Sequence, residues 1–208
     1  MTPSHRVGAV LLAAGGSLRM GRPKGLLPWG GRSLLEHQIG ALLNARVAVV
    51  AVVLGADADA LAAAAPDDPR VRVVWNARHR TGRSSSLVLG VLAMRAMDDL
   101  LICNLDQPLS DRLLNDLLEG AWGRPEGPIV LPAFGGRRGH PALIRATVYP
   151  EALSVAERTE GLRAVIRRDP ARVLQVETTS ANALAGFNTP LEYAEAMERA
   201  ARGELDLR

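Results

Sequence analysis

Along the first part of the chain, short apolar runs rich in β-branched residues alternate with amphipathic stretches. Residues 7–13 read as a buried strand, followed by a glycine-rich loop that extends to Lys24. Ser33 and Glu36 have the spacing of a capping box, which predicts a helix over 33–45. The nearly unbroken apolar run 47–54 has strand length and the texture of a strand covered on both faces. A short helix over 56–65 ends at Pro66, and a strand at 71–75 and a helix at 84–97 follow. The run 100–105 predicts another buried strand, ending at Asp106-Gln107-Pro108 before a helix over 110–122. This rhythm argues for a parallel sheet wrapped by helices.

After Pro128 the texture changes. Strands are predicted at 129–133, 142–145 and 172–178, with a turn-rich loop at 135–141 and a helix at 160–168. A last helix over 189–202 takes Thr189 as its cap and Pro190 as its first residue. The chain of 208 residues fits one domain with a sizeable core. With 48% hydrophobic and 23% charged residues, it excludes disorder, a collagen-like repeat and a disulfide scaffold. Cys103, the only cysteine, lies in an apolar run and reads as a packed thiol.

The formal charge is +3, from 25 basic and 22 acidic residues. Only one basic residue is a lysine, Lys24, and the other 24 are arginines spread along the whole chain. That spread, with only 3% aromatic residues, argues against nucleic acid as a partner. The first apolar run is broken by Ala14-Gly15-Gly16, too short for a membrane span and unlike a signal peptide, so a cytoplasmic location without membrane attachment is expected. Where arginine serves as the general cation, a retained lysine points to a use for its compact ammonium.

The loop after the first strand runs Leu12-Ala13-Ala14-Gly15-Gly16-Ser17-Leu18-Arg19-Met20-Gly21-Arg22-Pro23-Lys24. Glycines there let backbone N–H groups approach a phosphate, Arg19 can fork onto its oxygens, and Lys24 can meet a leaving pyrophosphate. The plainer reading is a glycine turn with solvated charges, and neither the P-loop nor the dinucleotide fingerprint is present. Asp106, at the carboxyl end of a strand, suits a hard Mg²⁺ ion or simply opens a turn before Pro108. Ser84–Ser86 at a helix start suit an anion or act as ordinary caps.

The loop matches every specified position of L-A-A-G-x-S-x-R-M-G-x-x-K, the signature of nucleotidyltransferases built on an open α/β sheet. From Val7 to about Met197 the chain most resembles the molybdenum cofactor cytidylyltransferases. Further landmarks are Gly55, Asn76, Gly82-Arg83-Ser84-Ser85-Ser86-Leu87, Gly139-His140-Pro141 and Asn188-Thr189-Pro190. The resemblance implies a single-domain α/β fold, with a Rossmann-like, open, mostly parallel sheet flanked by helices. It divides the chain into a nucleotide-binding half, about 6–127, and an acceptor-binding half, about 128–208.

By the same resemblance, Arg19, Lys24 and Asp106 are catalytic, and Asp106 and Asn188 hold Mg²⁺, with Mn²⁺ as a substitute. Leu12, Ala13, Ala14, Gly15, Gly16, Ser17, Lys24, Asn76, Gly82 and Ser85 contact the nucleotide. The alanine at position 14 goes with CTP, where guanylyltransferase relatives carry glycine. Gly139, His140, Pro141 and Arg163 face the acceptor, a molybdopterin-type phosphate, and a molybdenum hydroxylase is the implied client. Two positions depart from the family pattern. Asn188 stands where the second metal-binding aspartate is usual, and Thr159 replaces the acid of a Gly-Asp-x-Gly-x-Arg motif. Asn188 and His140 also have plainer readings, as a cap or turn residue and as a turn histidine. Trp29 and Trp75 read as packing residues. The expected reaction is Mg²⁺-dependent transfer of a nucleoside monophosphate to a phosphorylated acceptor. Its alternatives are guanylyl transfer, transfer to a sugar or polyol phosphate, and a nucleotide-binding accessory chaperone without turnover.

Overall fold

A computed structural model describes residues 5–155 and 161–207. The first strand is β1 (Val7–Ala13), as its apolar pattern predicts. The loop beyond it contains two single turns of 3₁₀ helix, Leu18–Met20 and Lys24–Leu26. A small hairpin, β2 (Pro28–Trp29) with β3 (Arg32–Ser33), then leads into α1 (Leu34–Asn44). The capping box forms: Ser33 Oγ accepts from the Glu36 N–H at 3.2 Å, and the Glu36 carboxylate accepts from the Ser33 N–H at 2.9 Å. That reciprocal pair satisfies two donors the helix start would otherwise leave open.

Next come β4 (Val49–Leu54), α2 (Ala58–Ala63), β5 (Val71–Trp75), α3 (Arg83–Ala93), β6 (Asp99–Asn104) and α4 (Asp111–Trp122). The later part supplies β7 (Ile129–Phe134), β8 (Arg137–Arg138), β9 (Ala142–Arg145), α5 (Tyr149–Leu153), α6 (Leu162–Arg168), β10 (Val173–Glu177) and α7 (Pro190–Ala201). The helix expected over 84–97 stops at Ala93, because Met94 leaves helical geometry at φ −113° and buries its side chain. The stretch expected as a loop at 135–141 holds a tight hairpin instead. Gly135 and Gly136, at φ 57° and 73°, close the turn between β7 and β8 in the conformation such two-residue turns require. Thr159 and Glu160, named in the sequence reading, lie outside the described residues.

The main sheet has the order β10-β7-β9-β6-β1-β4-β5, with β8 on the side of β7. Neighbours in it pair in parallel except around β9, which runs antiparallel to both β6 and β7, and in the antiparallel β7–β8 hairpin. Alternate residues of β1 supply the two faces. Ala9, Leu11 and Ala13 pack with Leu35, Leu42 and Leu117 of α1 and α4, whereas Val10 packs with Leu87 and Val91 of α3. Burying each such leucine or valine stabilises the fold by about 1.5–3 kcal/mol. Cys103 of β6 sits opposite Leu11 in this central register and is buried, and burial pushes its thiol far above the ordinary range. Among the described residues no helix is long and apolar enough to cross a membrane.

One expected packing residue does not pack. Trp29 is fully buried and stacks on Phe187 at 5.8 Å between ring centroids. Trp75 is 56% exposed, because it ends β5, the edge strand of the sheet.

Candidate functional site

Since β1, β4, β5 and β6 are parallel, their carboxyl ends open on one edge, and the loops that leave them converge there. A cavity of about 290 Å³ lies between those loops, lined by the stretch Leu12 to Ser17, Arg19, Lys24, His79, Gly82, Arg83, Ser86, Leu105, Asp106 and Asn188. The structure thus brings most of the sequence-predicted nucleotide and metal residues to one place. Residues such as Arg19 and Asn188 come together although they lie far apart along the chain.

The glycine loop is held at both ends. Ser17 Oγ accepts from the Lys24 N–H at 2.8 Å, and the Ala14 carbonyl accepts from the Ala56 N–H at 3.1 Å. Between those ties it borders open space, since a Cβ built on Gly15 would meet nothing within 4 Å. Gly55, at the end of β4, is constrained in the opposite sense: a Cβ there would lie 2.4 Å from His79 Cβ and 2.8 Å from the Ala14 carbonyl oxygen. Only glycine lets the three loops close to this distance.

The Lys24 side chain crosses the cavity. Its ammonium donates to Asp106 Oδ2 at 3.0 Å, to Asn188 Oδ1 at 3.1 Å and to the Phe187 carbonyl at 3.2 Å. Both charged side chains are largely shielded, at 15% and 22% exposure. Asp106 is itself fastened. Its carbonyl accepts from the Phe187 N–H at 3.1 Å, which ties the loop after β6 to the segment carrying Asn188. Gln38 of α1, fully buried, donates through Nε2 to the carbonyls of Asn104, Leu105 and Gln107 and accepts from the Leu109 N–H. His37 donates through Nε2 to the Leu109 carbonyl at 2.8 Å. Sequence reading missed Gln38 and His37, which look like any polar residues of an amphipathic helix.

Asn76 reaches the same region but spends its amide internally. Nδ2 donates to Ser85 Oγ and Ser86 Oγ, and Oδ1 accepts from the Arg78 N–H. Asn76 is buried, so within this arrangement it and Ser85 shape the wall at the start of α3. Gly82, at φ 113° and ψ −172°, caps that helix. Beyond His79 the site continues into a cleft of about 580 Å³ lined by Gly55, Asp57, Asp59, Trp75 and Asn76. His79, Trp75 and the two aspartates were not among the expected site residues. An aromatic face beside carboxylates suits a nucleobase with an amino edge.

Of the predicted acceptor residues, Gly139, His140 and Pro141 form the turn that leads into β9. The Gly139 N–H donates to the Pro132 carbonyl and the His140 N–H to the Ala183 carbonyl, both at 2.8 Å, which fixes the turn before buried Pro141. Burial lowers the His140 pKa, with the positive charges of Arg163 and Arg83 adding to that and Asp106 opposing it. His140 is therefore neutral at pH 7 and stands within the field of two arginines and of the Asp106 carboxylate. Arg163 is exposed at the start of α6, and Arg137 and Arg138 are exposed on the β8 hairpin.

Comparison with known proteins agrees with this architecture. Residues 9–176 match the model of the MobA-like NTP transferase domain. The chain is 36% identical over 175 residues to nicotine blue oxidoreductase of Paenarthrobacter nicotinovorans, covering 79% of this chain and 83% of that one. It is 24% identical over 193 residues to the molybdenum cofactor cytidylyltransferase of Escherichia coli, covering 93% and 96%. A solved nucleotidyl transferase from Methanothermobacter superposes with a TM-score of 0.78 at 27% identity, covering 95% of this chain and 99% of that one. By family model and fold, the chain is a nucleotidyltransferase that belongs to the MobA-like NTP transferase domain family.

Proposed function

We propose that the protein transfers a cytidine monophosphate unit from CTP to the terminal phosphate of a molybdopterin-type acceptor. The observation that carries this reading is the Lys24–Asp106 pair at the carboxyl ends of the parallel strands, facing an open glycine loop. An acceptor phosphate oxygen forms a bond to the α-phosphorus, the bond from that phosphorus to the bridging oxygen breaks, and pyrophosphate leaves. Little covalent chemistry falls to the protein in such a transfer, so positioning and charge neutralisation supply the rate. The backbone from Ala14 to Ser17 cradles the phosphates, and Arg19 and Lys24 meet the charge that builds on the leaving group. Residues 6–127 carry the nucleotide and 128–208 the acceptor, with Asn188 reaching back into the first half.

The oxygens around the Lys24 ammonium test whether a divalent ion fits. Asp106 carboxylate, Asn188 amide carbonyl and Phe187 main-chain carbonyl are all hard donors, and they already surround a cation. Such a set, completed by phosphate oxygens, suits Mg²⁺ or Mn²⁺. Asp106 and Asn188 hold the ion in this reading, and when bound it neutralises charge on the triphosphate. CTP is favoured by Ala14 in the signature loop, and a phosphorylated acceptor by Arg137, Arg138 and Arg163 near the His140 turn.

A matrix of nucleoside triphosphates against phosphorylated acceptors, scored by pyrophosphate release, tests the proposal. Release with CTP and molybdopterin is expected to exceed all other pairs. Release with a different pair reassigns the substrates, and none with any pair removes the transfer reading. A second reading rests on the 36% identity to a protein named an oxidoreductase. Reduction of nicotine blue by a supplied electron donor, in the absence of triphosphate, would favour it.

A further inference from the structure

Lys24 is held in a way that its expected role at the pyrophosphate does not explain. An ammonium has three N–H donors, and here each meets an oxygen, at 3.0, 3.1 and 3.2 Å. These are the same oxygens that suit a divalent ion. We infer that Lys24 is the resting occupant of the cation position, and that a divalent ion enters only when a triphosphate draws the lysine away. The inference rests on the reading that this position takes a metal, and it adds the order in which the two cations use it.

Charge makes the exchange selective. With Lys24 in place, its single positive charge balances the single negative charge of Asp106, because Asn188 contributes an oxygen without a charge. A second cation arriving alone meets a neutral position whose oxygens are already used, and like charges this close repel strongly in a shielded site. A triphosphate changes both conditions. It brings several negative charges to the glycine loop, where Ser17 already anchors the Lys24 main chain, and it offers the ammonium new acceptors a side-chain swing away. Arginine cannot do this: its planar fork is larger than an ion, whereas the lysine ammonium is compact. The chain uses arginine at its 24 other basic positions, and lysine only here.

The single lysine makes the exchange directly observable. Protein grown with side-chain ¹⁵N- and ¹³C-labelled lysine shows one Nζ and one Cε resonance from this sequence, both from Lys24. These resonances are expected to stay in place when Mg²⁺ is added alone and to shift when CTP and Mg²⁺ are added together. In parallel, Mn²⁺ binding without nucleotide is measured by calorimetry for wild type, Lys24→Met and Asn188→Asp. The first variant removes the occupant and the second adds a charge that one lysine cannot balance. Each is expected to bind Mn²⁺ at least tenfold more tightly than wild type, and the Lys24→Met advantage is expected to vanish once CTP is present. Movement of the Lys24 resonances with Mg²⁺ alone overturns the inference, as does equal Mn²⁺ affinity in wild type and both variants. If no form of the protein binds Mn²⁺ even with CTP, the metal reading fails and this inference goes with it. No readout depends on an acceptor, so a failure of the molybdopterin assignment alone leaves the result intact.

Discussion

Gln38 Oε1 accepts the Leu109 N–H at 2.8 Å, joining the middle of α1 to the loop that carries Asp106. With the three carbonyls bonded by its Nε2, one buried amide fixes residues 104–109. Gln38→Leu leaves those groups without their partner, at about 1–3 kcal/mol for a buried unsatisfied group. The expected loss of stability is about 2–4 kcal/mol, read from urea unfolding, together with a fall in kcat as Asp106 loses its support. Gln38→Glu is not expected to rescue it, since a carboxylate has no N–H to offer three carbonyls. Full activity in either variant would show that the loop holds itself.

Lys24→Ala and Arg19→Ala each remove a cation facing the glycine loop. By analogy with single-donor deletions at sites of developing charge, each is expected to lower nucleotide transfer by about 10²–10³. Neither should unfold the protein, as measured by thermal denaturation, because Arg19 is exposed and the Lys24 main chain is held independently through Ser17. Wild-type turnover in Lys24→Ala would remove it from the catalytic set.

Gly55→Ala forces a methyl group against His79 and the Ala14 carbonyl. Overpacking of this kind costs about 1–3 kcal/mol. The strain falls between the nucleotide loop and the wall of the neighbouring cleft, so triphosphate affinity is expected to fall about tenfold or more. Equilibrium binding of CTP measures this, and unchanged affinity would mean that the loop yields without consequence for the ligand.

Two histidines, His37 buried and His140 half-buried, set a pH dependence. Burial lowers the pKa of His37 from 6.5, and its bond to the Leu109 carbonyl opposes that only in part; burial also lowers His140. For both, the unfolded chain takes up protons at higher pH than the folded one. Their contribution to stability is therefore complete above about pH 6.5 and is lost as the pH falls below it. Urea midpoints between pH 7.5 and pH 5 should decline, and His37→Gln should make that decline shallower. A flat profile for the wild type would show that both rings stay as easily protonated as in the unfolded chain.

The periodic features of the fold were legible because local patterning determines them. The strand at 7–13 and the Ser33–Glu36 box fall where the apolar run and the capping spacing put them. The loop signature likewise marked the residues that line the cavity. What depends on tertiary pairing was not legible. Lys24 meets Asp106 across 82 residues and Asn188 across 164, and no local rule links them. The antiparallel setting of β9, the two-residue strands of the β2–β3 hairpin and the five-residue α5 are too short or too context-dependent to leave a period. Trp75 was misread because a large aromatic side chain on a strand ordinarily packs, and only the sheet order shows that its strand lies at the edge.

The buried thiol of Cys103 gives the protein an internal clock. It lies in β6, opposite Leu11, with its reactive thiolate form suppressed by burial. An alkylating reagent can therefore reach it only when the centre of the sheet opens. The labelling rate then reports how often β1 and β6 separate, and comparing it with and without a ligand at their carboxyl ends measures how far occupancy of the site closes the sheet beneath it.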